Sequence, residues 1–357
     1  MNQITTKSRF ETLKEVVKDP ERKSFHRILK DLISLTLTYK ELPVHYFSRY
    51  LFKKSIINIR DYVPNRLAAG IAPKLNDQIL KGVLDNKLYF DLFYRQFQIN
   101  MPEILMYNHK SKFVIGNTVH DVKDLDTFLL VMRRLFEQHT STDSVFIKKT
   151  YSSSSGRNTF KLYREQISRD HVIMREIFSE IITSDFLFQK TVQQHPELNR
   201  LNSACLNTIR IDTFVNSDGK VEIISAFIKL SIGSHVDNTV FGGFGVGIDL
   251  QTGRMKKHGW SKLRVAGVNI PEEHPVTGIR FENMEVPFFQ DVKELVIKAA
   301  GLTPGLRLIG WDVGIGESGP VLIEGNSDYG INSNDMIYGG YMANNVFRKI
   351  LQEINYL

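Results

Sequence analysis

The most informative stretch of the chain is residues 310–326, which read GWDVGIGESGPVLIEGN. Two apolar segments flank a Gly-Glu-Ser-Gly-Pro turn, a pattern that predicts a β-hairpin. With Ser318 at the centre of the turn, Asp312 lies six residues before it and Glu324 six residues after it. The two carboxylates are then expected to face each other, with about 5 Å between their Cβ atoms.

These side chains, together with Asn326, predict a metal site. Asn326 shares the face of Glu324, because residues two apart in a strand point the same way. Two adjacent carboxylates repel each other unless a cation lies between them. Carboxylate and amide oxygens suit Mg²⁺, which also takes phosphate oxygens and water. The alternative, acidic residues on a solvated hairpin face, does not account for Gly325 between two ligand candidates.

A loop of small residues lies further upstream, between two predicted strands. The strand 145–149 ends in Lys148 and Lys149, and a strand resumes at residues 158–162. Small residues let backbone N–H groups approach phosphate oxygens, and a lysine at the strand end adds a point charge. The loop candidates for nucleotide binding are Ser153, Ser154, Ser155 and Gly156. Lys148 and Lys149 point to opposite faces, so one of them is expected to serve.

Two cations lie within the strands of a second predicted hairpin. Residues 208–215 form an apolar strand, 216–219 (NSDG) a turn, and 221–230 the returning strand. Arg210 stands between Ile209 and Ile211, and a buried or half-buried arginine needs a partner. Either the Asp312/Glu324 pair or a phosphate of a ligand could supply it. Lys229 on the returning strand poses the same question.

The first third of the chain is basic and largely helical in pattern. Phe25, Ile28, Leu29 and Leu32 follow helical spacing. An aromatic and basic segment, YFSRYLFKK, follows at residues 46–54. This segment is either part of a helical lobe that packs on the rest, or a surface that approaches a membrane or a lipid-linked acceptor.

Composition narrows the class of protein. A chain of 357 residues is expected to form two or three lobes. Its net charge of +7 suits an anionic ligand, a membrane surface or nucleic acid, but zinc-finger spacing and nucleic-acid signatures are absent from the sequence. No apolar run reaches the roughly 18 residues of a membrane span. We therefore expect a cytoplasmic protein. The alternative is a protein bound peripherally at the inner face of the membrane.

Several motifs in the C-terminal half resemble those of a known superfamily. Residues 310–326 resemble the terminal magnesium hairpin of ATP-grasp enzymes, in which Asp, Glu and Asn hold two magnesium ions against ATP phosphates. Residues 237–243, DNTVFGG, resemble the N-x-x-x-G-G loop of its glutamate ligases. The pattern is closer still to the sugar-transfer-associated ATP-grasp family, over about residues 25–357. The matching segments are His195-Pro196, Asn207-Thr208-Ile209-Arg210, Asp237-Asn238, Gly242-Gly243, Asp249 with Thr252-Gly253, His274-Pro275 and Gly310-Trp311-Asp312.

The resemblance implies an α+β fold in which an N-terminal helical and mixed lobe precedes two α+β lobes that sandwich ATP. The expected segments are a mainly helical lobe (1–100), a small α/β segment (101–144), a small ATP-grasp lobe with the serine loop (145–190) and a C-terminal lobe with the magnesium site (191–357).

The resemblance also implies roles for individual residues. It favours Lys148 over Lys149 as the phosphate ligand. It makes the predicted strand 185–192 the hinge strand, so that Gln189, Lys190, Thr191 and Val192 line the adenine pocket. The metal ligands are Asp312, Glu324 and Asn326, and the catalytic residues are Arg210, Lys229 and Asn238. Lys229 stands where glutamate ligases often have arginine, which leaves open which cation handles the transferred phosphoryl group.

The function implied is that of an ATP- and Mg²⁺-dependent carboxylate–amine ligase that forms an amide through an acyl phosphate. Its expected substrates are ATP, an amine or amino acid, and a carboxylate on a sugar or glycan in surface polysaccharide (capsule) biosynthesis. Association with the membrane or with glycosyltransferases is a further expectation, and binding of nucleic acid is not expected. The alternatives are an ATP-dependent kinase of a sugar hydroxyl and a nucleotide-binding scaffold without turnover.

Overall fold

The computed structural model describes residues 9–151, 159–169, 171–232, 243–262 and 270–356. The helices found there are α1 (Arg9–Lys18), α2 (Phe25–Tyr39), α3 (His45–Ser48), α4 (Asn65–Leu75), α5 (Gly82–Asp85), α6 (Lys87–Arg95), α7 (Leu125–Gln138), α8 (Gln166–Arg169), α9 (His171–Ile181), α10 (Pro196–Leu201), α11 (Phe289–Gly301), α12 (Ile331–Tyr338) and α13 (Asn345–Glu353). The strands are β1 (Ile104–His109), β2 (Lys112–Ile115), β3 (Thr118–Asp121), β4 (Ser144–Lys149), β5 (Thr159–Tyr163), β6 (Asp185–Lys190), β7 (Ile209–Val215), β8 (Val221–Leu230), β9 (Phe244–Ile248), β10 (Met255–Trp260), β11 (Leu308–Gly316) and β12 (Gly319–Asn326).

The chain divides into two compact units. The larger unit comprises Met1–Lys81, Gln194–Pro320 and Gly325–Leu357, and the smaller comprises Gly82–Gln193 and Val321–Glu324. Each unit contains an antiparallel sheet and helices, so the prediction of an α+β fold is confirmed. The four segments proposed from the sequence stay a prediction.

The smaller unit is built on a six-stranded sheet in the order β3-β2-β1-β6-β4-β5. Helices α7 and α9 cover one face, where Phe128, Met132 and Ile177 pack against strand residues such as Val145 and Ile147. Helix α7 begins after Asp124, which caps it by accepting a hydrogen bond from the Thr127 N–H at 2.8 Å. This cap satisfies an N–H group that has no partner within the helix.

The larger unit is built on a six-stranded sheet in the order β10-β9-β8-β7-β11-β12. The predicted turn joins β7 to β8, and Gly219 has a positive φ of 79° there, a conformation that favours glycine. Phe214 and Ile224 on these strands pack against helices α4 and α13 through residues such as Ile71 and Phe347.

The aromatic segment 46–54 belongs to the core of the larger unit. Tyr46, Tyr50 and Phe52 are fully buried, in a cluster that also contains Phe227 of β8. Arg49 is buried as well and forms an ion pair with Asp335. The expectation that this segment packs on the rest is therefore confirmed, and its aromatic rings do not form a membrane-facing surface.

Two of the differences from the predicted boundaries bear on the candidate site. The strand predicted over 185–192 ends at Lys190, so Thr191 and Val192 lie beyond β6. The hairpin strands end at Gly316 and resume at Gly319, so the turn is Glu317-Ser318 and is not centred on Ser318. The metal ligands expected on this hairpin, Asp312, Glu324 and Asn326, stay a prediction.

Candidate active site

The carboxylate of Asp312 is held by both cations that the sequence places in the second hairpin. Arg210 is the direct cross-strand partner of Asp312. Its Nε donates to Asp312 Oδ1 at 2.6 Å, and its Nη2 donates to Oδ2 at 3.0 Å. Lys229 Nζ lies 2.7 Å from Oδ2. The partner that Arg210 requires is thus supplied by the protein itself, with the two-pronged geometry that makes Arg–carboxylate pairs strong.

Strand alternation explains why these residues meet. Ile209, Ile211 and Ile228 are fully buried, whereas Arg210 and Lys229 fall on the intervening positions, where they keep partial access to solvent. Asp312 joins them from the neighbouring strand β11. The cluster contains two cations and one anion in a half-buried setting. Such a setting favours an anion such as a phosphoryl group.

A second buried acid, Asp212, lies on β7 two residues after Arg210. Asp212 is fully buried and accepts hydrogen bonds from Tyr341 (2.7 Å), Asn334 and Ser225. Burial raises the pKa of its carboxyl to about 6, although Arg210 and these hydrogen bonds act in the opposite direction. The sequence analysis missed this network, since nothing in the linear pattern links Asp212 to the helix α12 residue Asn334.

Asn326 is oriented by the backbone of the neighbouring strand. Its Nδ2 donates to the carbonyl of Gly310 at 3.2 Å. Gly310 is required here, because a Cβ at this position would lie 2.8 Å from the ring of Tyr329. The close approach fixes both the strand and the carbonyl that receives Asn326.

Glu324 lies on the part of β12 that groups with the smaller unit, where its partner is a lysine that sequence reasoning missed. Lys87 Nζ, at the start of α6, lies 3.6 Å from Glu324 Oε2. The same strand segment is tied to this unit by the Leu322 N–H, which donates to the Asn100 carbonyl at 2.8 Å. Lys87 carries no sequence signal of such a role, because it is far from the hairpin in the chain.

The two candidate phosphate lysines lie on different faces of the smaller unit's sheet. Lys149 is on the face of Val145 and Ile147, which pack beneath the helices. Lys148 is on the other face, is 5% exposed, and pairs across strands with Leu187. Gln189, paired with Phe146, is buried on the face of Lys148. The structure thus places two of the predicted nucleotide residues, Lys148 and Gln189, on one face.

The rest of the predicted adenine segment has more ordinary contacts. Lys190 is exposed, and its N–H donates to the Glu103 carbonyl at 2.8 Å. Thr191 exchanges hydrogen bonds with Ser144 at the start of β4, at 2.9 and 3.1 Å. The remaining predicted site residues, Ser153, Ser154, Ser155, Gly156 and Asn238, lie outside the described residues.

The residue types suit a magnesium ion bound together with phosphates. Among the described residues, no group of three or more His, Cys, Asp or Glu gathers as a metal cluster. The predicted set has two carboxylates and one amide oxygen, and Mg²⁺ that bridges to phosphates takes its remaining ligands from the phosphates and from water. The donor set of Asp312, Glu324 and Asn326 therefore fits the ion chemically.

The family model for sugar-transfer associated ATP-grasp proteins matches residues 66–352, which is most of the chain. This chain belongs to the sugar-transfer associated ATP-grasp family. The match covers β7, β8, β11 and β12, so the Arg210–Asp312–Lys229 cluster lies within the family's own segment. No curated protein sequence matches the chain.

Solved structures show only a distant likeness to this ATP-grasp chain. Bacillus anthracis D-alanine–D-alanine ligase complexed with ATP is 12% identical, covers 78% of this chain and 68% of its own, and has a TM-score of 0.41. D-cycloserine synthetase DcsG is 11% identical, with 77% of this chain and 73% of that protein covered and a TM-score of 0.43. Thermotoga maritima N5-carboxyaminoimidazole ribonucleotide synthetase is 10% identical, with 70% of this chain and 43% of that protein covered and a TM-score of 0.37. The present chain therefore spans less than half of that protein. Likenesses this low do not carry the activities of those proteins over to this chain.

In the ranges that the structure describes, no helix combines the length and the apolar character needed to cross a membrane.

Proposed function

We propose that this ATP-grasp chain is an ATP- and Mg²⁺-dependent carboxylate–amine ligase. The observation that carries the proposal is the cluster in which Arg210 and Lys229 converge on Asp312. It provides two cations beside a carboxylate suited to a divalent cation, in a chain of the ATP-grasp family.

ATP binding is assigned to the face of the smaller unit's sheet that bears Lys148 and Gln189. Lys148 supplies a charge for an α- or β-phosphate, and the loop residues Ser153–Gly156 supply backbone N–H groups. The adenine is read by Gln189, Lys190, Thr191 and Val192. Lys149 has the lesser role, because its side chain is on the face beneath the helices.

Asp312, Glu324 and Asn326 are the proposed magnesium ligands. When bound, the ion neutralises phosphate oxygens and orients the γ-phosphoryl group. Within this chain, Arg210 keeps the Asp312 carboxylate in a fixed orientation, and Lys87 does the same for Glu324 at longer range.

The proposed reaction has two steps. A substrate carboxylate oxygen attacks the γ-phosphorus in line, and ADP leaves as the bond to the bridging oxygen breaks. The amine nitrogen then attacks the carbonyl carbon of the acyl phosphate, phosphate leaves, and the nitrogen loses a proton. Arg210 and Lys229, with Asn238, are proposed to stabilise the negative charge on the transferred group.

The substrate class follows from the family. Its sugar-transfer association favours a carboxylate-bearing sugar or glycan, joined to an amino acid or another amine, in surface polysaccharide biosynthesis. A cytoplasmic position, at the membrane or beside glycosyltransferases, belongs to the same proposal. The kinase alternative shares the cluster but transfers the phosphoryl group to a hydroxyl. The scaffold alternative has no turnover.

Product stoichiometry separates these functions. The purified protein is incubated with MgATP and libraries of sugar acids and amines, while ADP, phosphate and product mass are followed. A ligase releases ADP and phosphate in equal amounts, and its product has the mass of acid plus amine less one water. ADP without phosphate, together with a phosphorylated sugar, would replace the proposal with the kinase. Binding of MgATP without release of ADP, whichever acid–amine pair is present, would replace it with the scaffold.

A further inference from the structure

Helix α2 carries a continuous apolar stripe on its solvent side. Phe25, Leu29, Ile33 and Leu37 recur every four residues and are between 53% and 74% exposed. The helix is anchored by another face, on which Ile28 and Leu35 are buried in the core of the larger unit. A run of large exposed apolar side chains on one helix marks an interaction surface rather than a scatter of single residues.

The exposed charged side chains of α2 beside this stripe are basic. Helix α2 is described over its whole length, and its exposed ionisable side chains are His26, Arg27 and Lys30. Its one acid, Asp31, is buried, with Lys23 Nζ at 3.0 Å and Arg27 Nε at 2.9 Å. The solvent side of α2 therefore combines an apolar stripe with a flank on which His26 and Lys30 stand beside the Asp31-paired Arg27, a balance that suits the interface of an anionic membrane.

A basic cavity opens beside the stripe. It has a volume of about 400 Å³ and lies between α2 and the segment 57–61. Arg27, Lys30 and Arg60 bring three cations to its wall, against the carboxylates of Asp31 and Asp61. Arg60 Nη2 also donates to Ser34 Oγ at 3.0 Å, which fixes this guanidinium at the cavity wall. The cavity is large enough for a phosphate-bearing headgroup and has the charge to attract one.

The preceding helix extends the apolar surface. Leu13 and Val17 of α1 are about half exposed and lie one turn apart. Arg22 connects the two helices, since its Nε donates to the Val17 carbonyl at 2.8 Å and its guanidinium lies 4.0 Å from the ring centroid of Phe25. Arg22 thus lies between the exposed apolar residues of α1 and those of α2.

We propose that this surface docks the protein on an anionic phospholipid membrane. The apolar stripe of α2 lies at the boundary between headgroups and acyl chains, and the cations of the neighbouring cavity contact lipid phosphates. A protein partner could cover an apolar stripe, but the exposed cations of α2 and the cavity, in which three cations face two carboxylates, favour a surface dense in negative phosphates. The proposal does not depend on the catalytic assignment, because none of these residues lies in the candidate active site.

Vesicle flotation tests the proposal without an activity assay. The full chain is mixed with vesicles of phosphatidylcholine alone, or of phosphatidylcholine containing phosphatidylglycerol. The variants are Leu29→Ser with Ile33→Ser for the stripe, and Lys30→Glu for the charge. The matched control is Ile297→Ser with Lys298→Glu, an exposed apolar and basic pair on α11 of the same unit. All five side chains are exposed, and circular dichroism with thermal melting checks that each variant folds.

The wild type is expected to float with anionic vesicles and to remain unbound with neutral ones. Each α2 variant should bind anionic vesicles about tenfold more weakly or worse, and the α11 control should bind like the wild type. Failure of the wild type to float, or wild-type binding by the stripe variant, would overturn the proposal. A wild type that sediments as a dimer, becomes monomeric in the stripe variant and ignores vesicles would instead make the stripe a self-association surface.

Discussion

At the scale of single residues, Asp312 is the point at which the structure adds most to the sequence. A buried carboxylate beside one arginine is common in protein cores. Asp312 also forms an ion pair with Lys229, and Asn326 donates to the Gly310 carbonyl on the strand that carries Asp312. These residues form a small cluster of polar and charged side chains. In this arrangement Arg210 orients Asp312, and Lys229 adds a second cation.

Glu324→Gln tests the metal assignment. The substitution preserves shape and removes one charged oxygen ligand, so kcat is expected to fall by about 100-fold or more, because metal stabilisation of a transition state is worth several kcal/mol. Initial rates at a series of magnesium concentrations measure the effect. Glu317→Gln, in the exposed turn of the same hairpin, is the matched control and should retain full activity. Equal activity of the two variants would remove Glu324 from the site.

Asp212 makes stability depend on pH in a direction that burial dictates. Its pKa is raised from 3.8 to about 6, so the folded state binds more protons than the unfolded state between those values. Its contribution to stability is complete below about pH 4 and is lost as the pH rises through 6. Asp212→Asn should remove about 2–3 kcal/mol of this pH dependence. Urea unfolding at pH 4 to 7 measures it, with the exposed Asp218→Asn as the control. A variant with the wild-type pH profile would show that Asp212 is not the group responsible.

At the scale of elements, the two faces of β4 separate two neighbouring lysines. Lys148→Met is expected to raise KM for ATP about tenfold or more, because a charge-assisted contact to phosphate contributes about 1.5–3 kcal/mol. Lys149→Met, on the helix-covered face, should change KM for ATP little. Methionine retains the length of the side chain and so limits the packing cost at the buried Lys148. The opposite ranking would exchange the roles of the two lysines.

Elements with local signals could be predicted from the sequence, and contacts between distant segments could not. The NSDG turn predicted the β7–β8 hairpin, because turn chemistry acts within a few residues. The Lys87–Glu324 ion pair has no such local signal. The two-residue turn after Gly316 was also missed, since the GESGP segment supports more than one turn position.

The first third of the chain shows that burial and exposure of apolar residues are also hard to predict from the sequence. Its aromatic and basic segment was compatible with packing on the rest or with a membrane-facing surface, and the burial of Tyr46, Arg49 and Tyr50 agrees with packing. The exposed apolar surface lies instead on α2, where helical spacing predicted a core face and Leu29 points to solvent. Periodicity indicates a helix, but it does not tell which of two adjacent apolar stripes the core will cover.

At the scale of the whole molecule, the chain combines two sheet-based units with a family match that spans residues 66–352. The larger unit contains the Arg210–Asp312–Lys229 cluster, and the smaller unit contains Lys148 and Gln189 on one face of its sheet. Each unit by itself therefore carries residues to which the ligase proposal gives a role.

Isotope transfer tests the proposed ligase chemistry most directly. Once an active acid–amine pair is known, the acid is labelled in both carboxylate oxygens with the heavy oxygen isotope, and the released phosphate is analysed by mass spectrometry. Attack of the carboxylate on the γ-phosphorus predicts one heavy oxygen in each phosphate, because the acyl carbon–oxygen bond breaks when the amine enters. Unlabelled phosphate formed together with the amide would contradict the acyl-phosphate route.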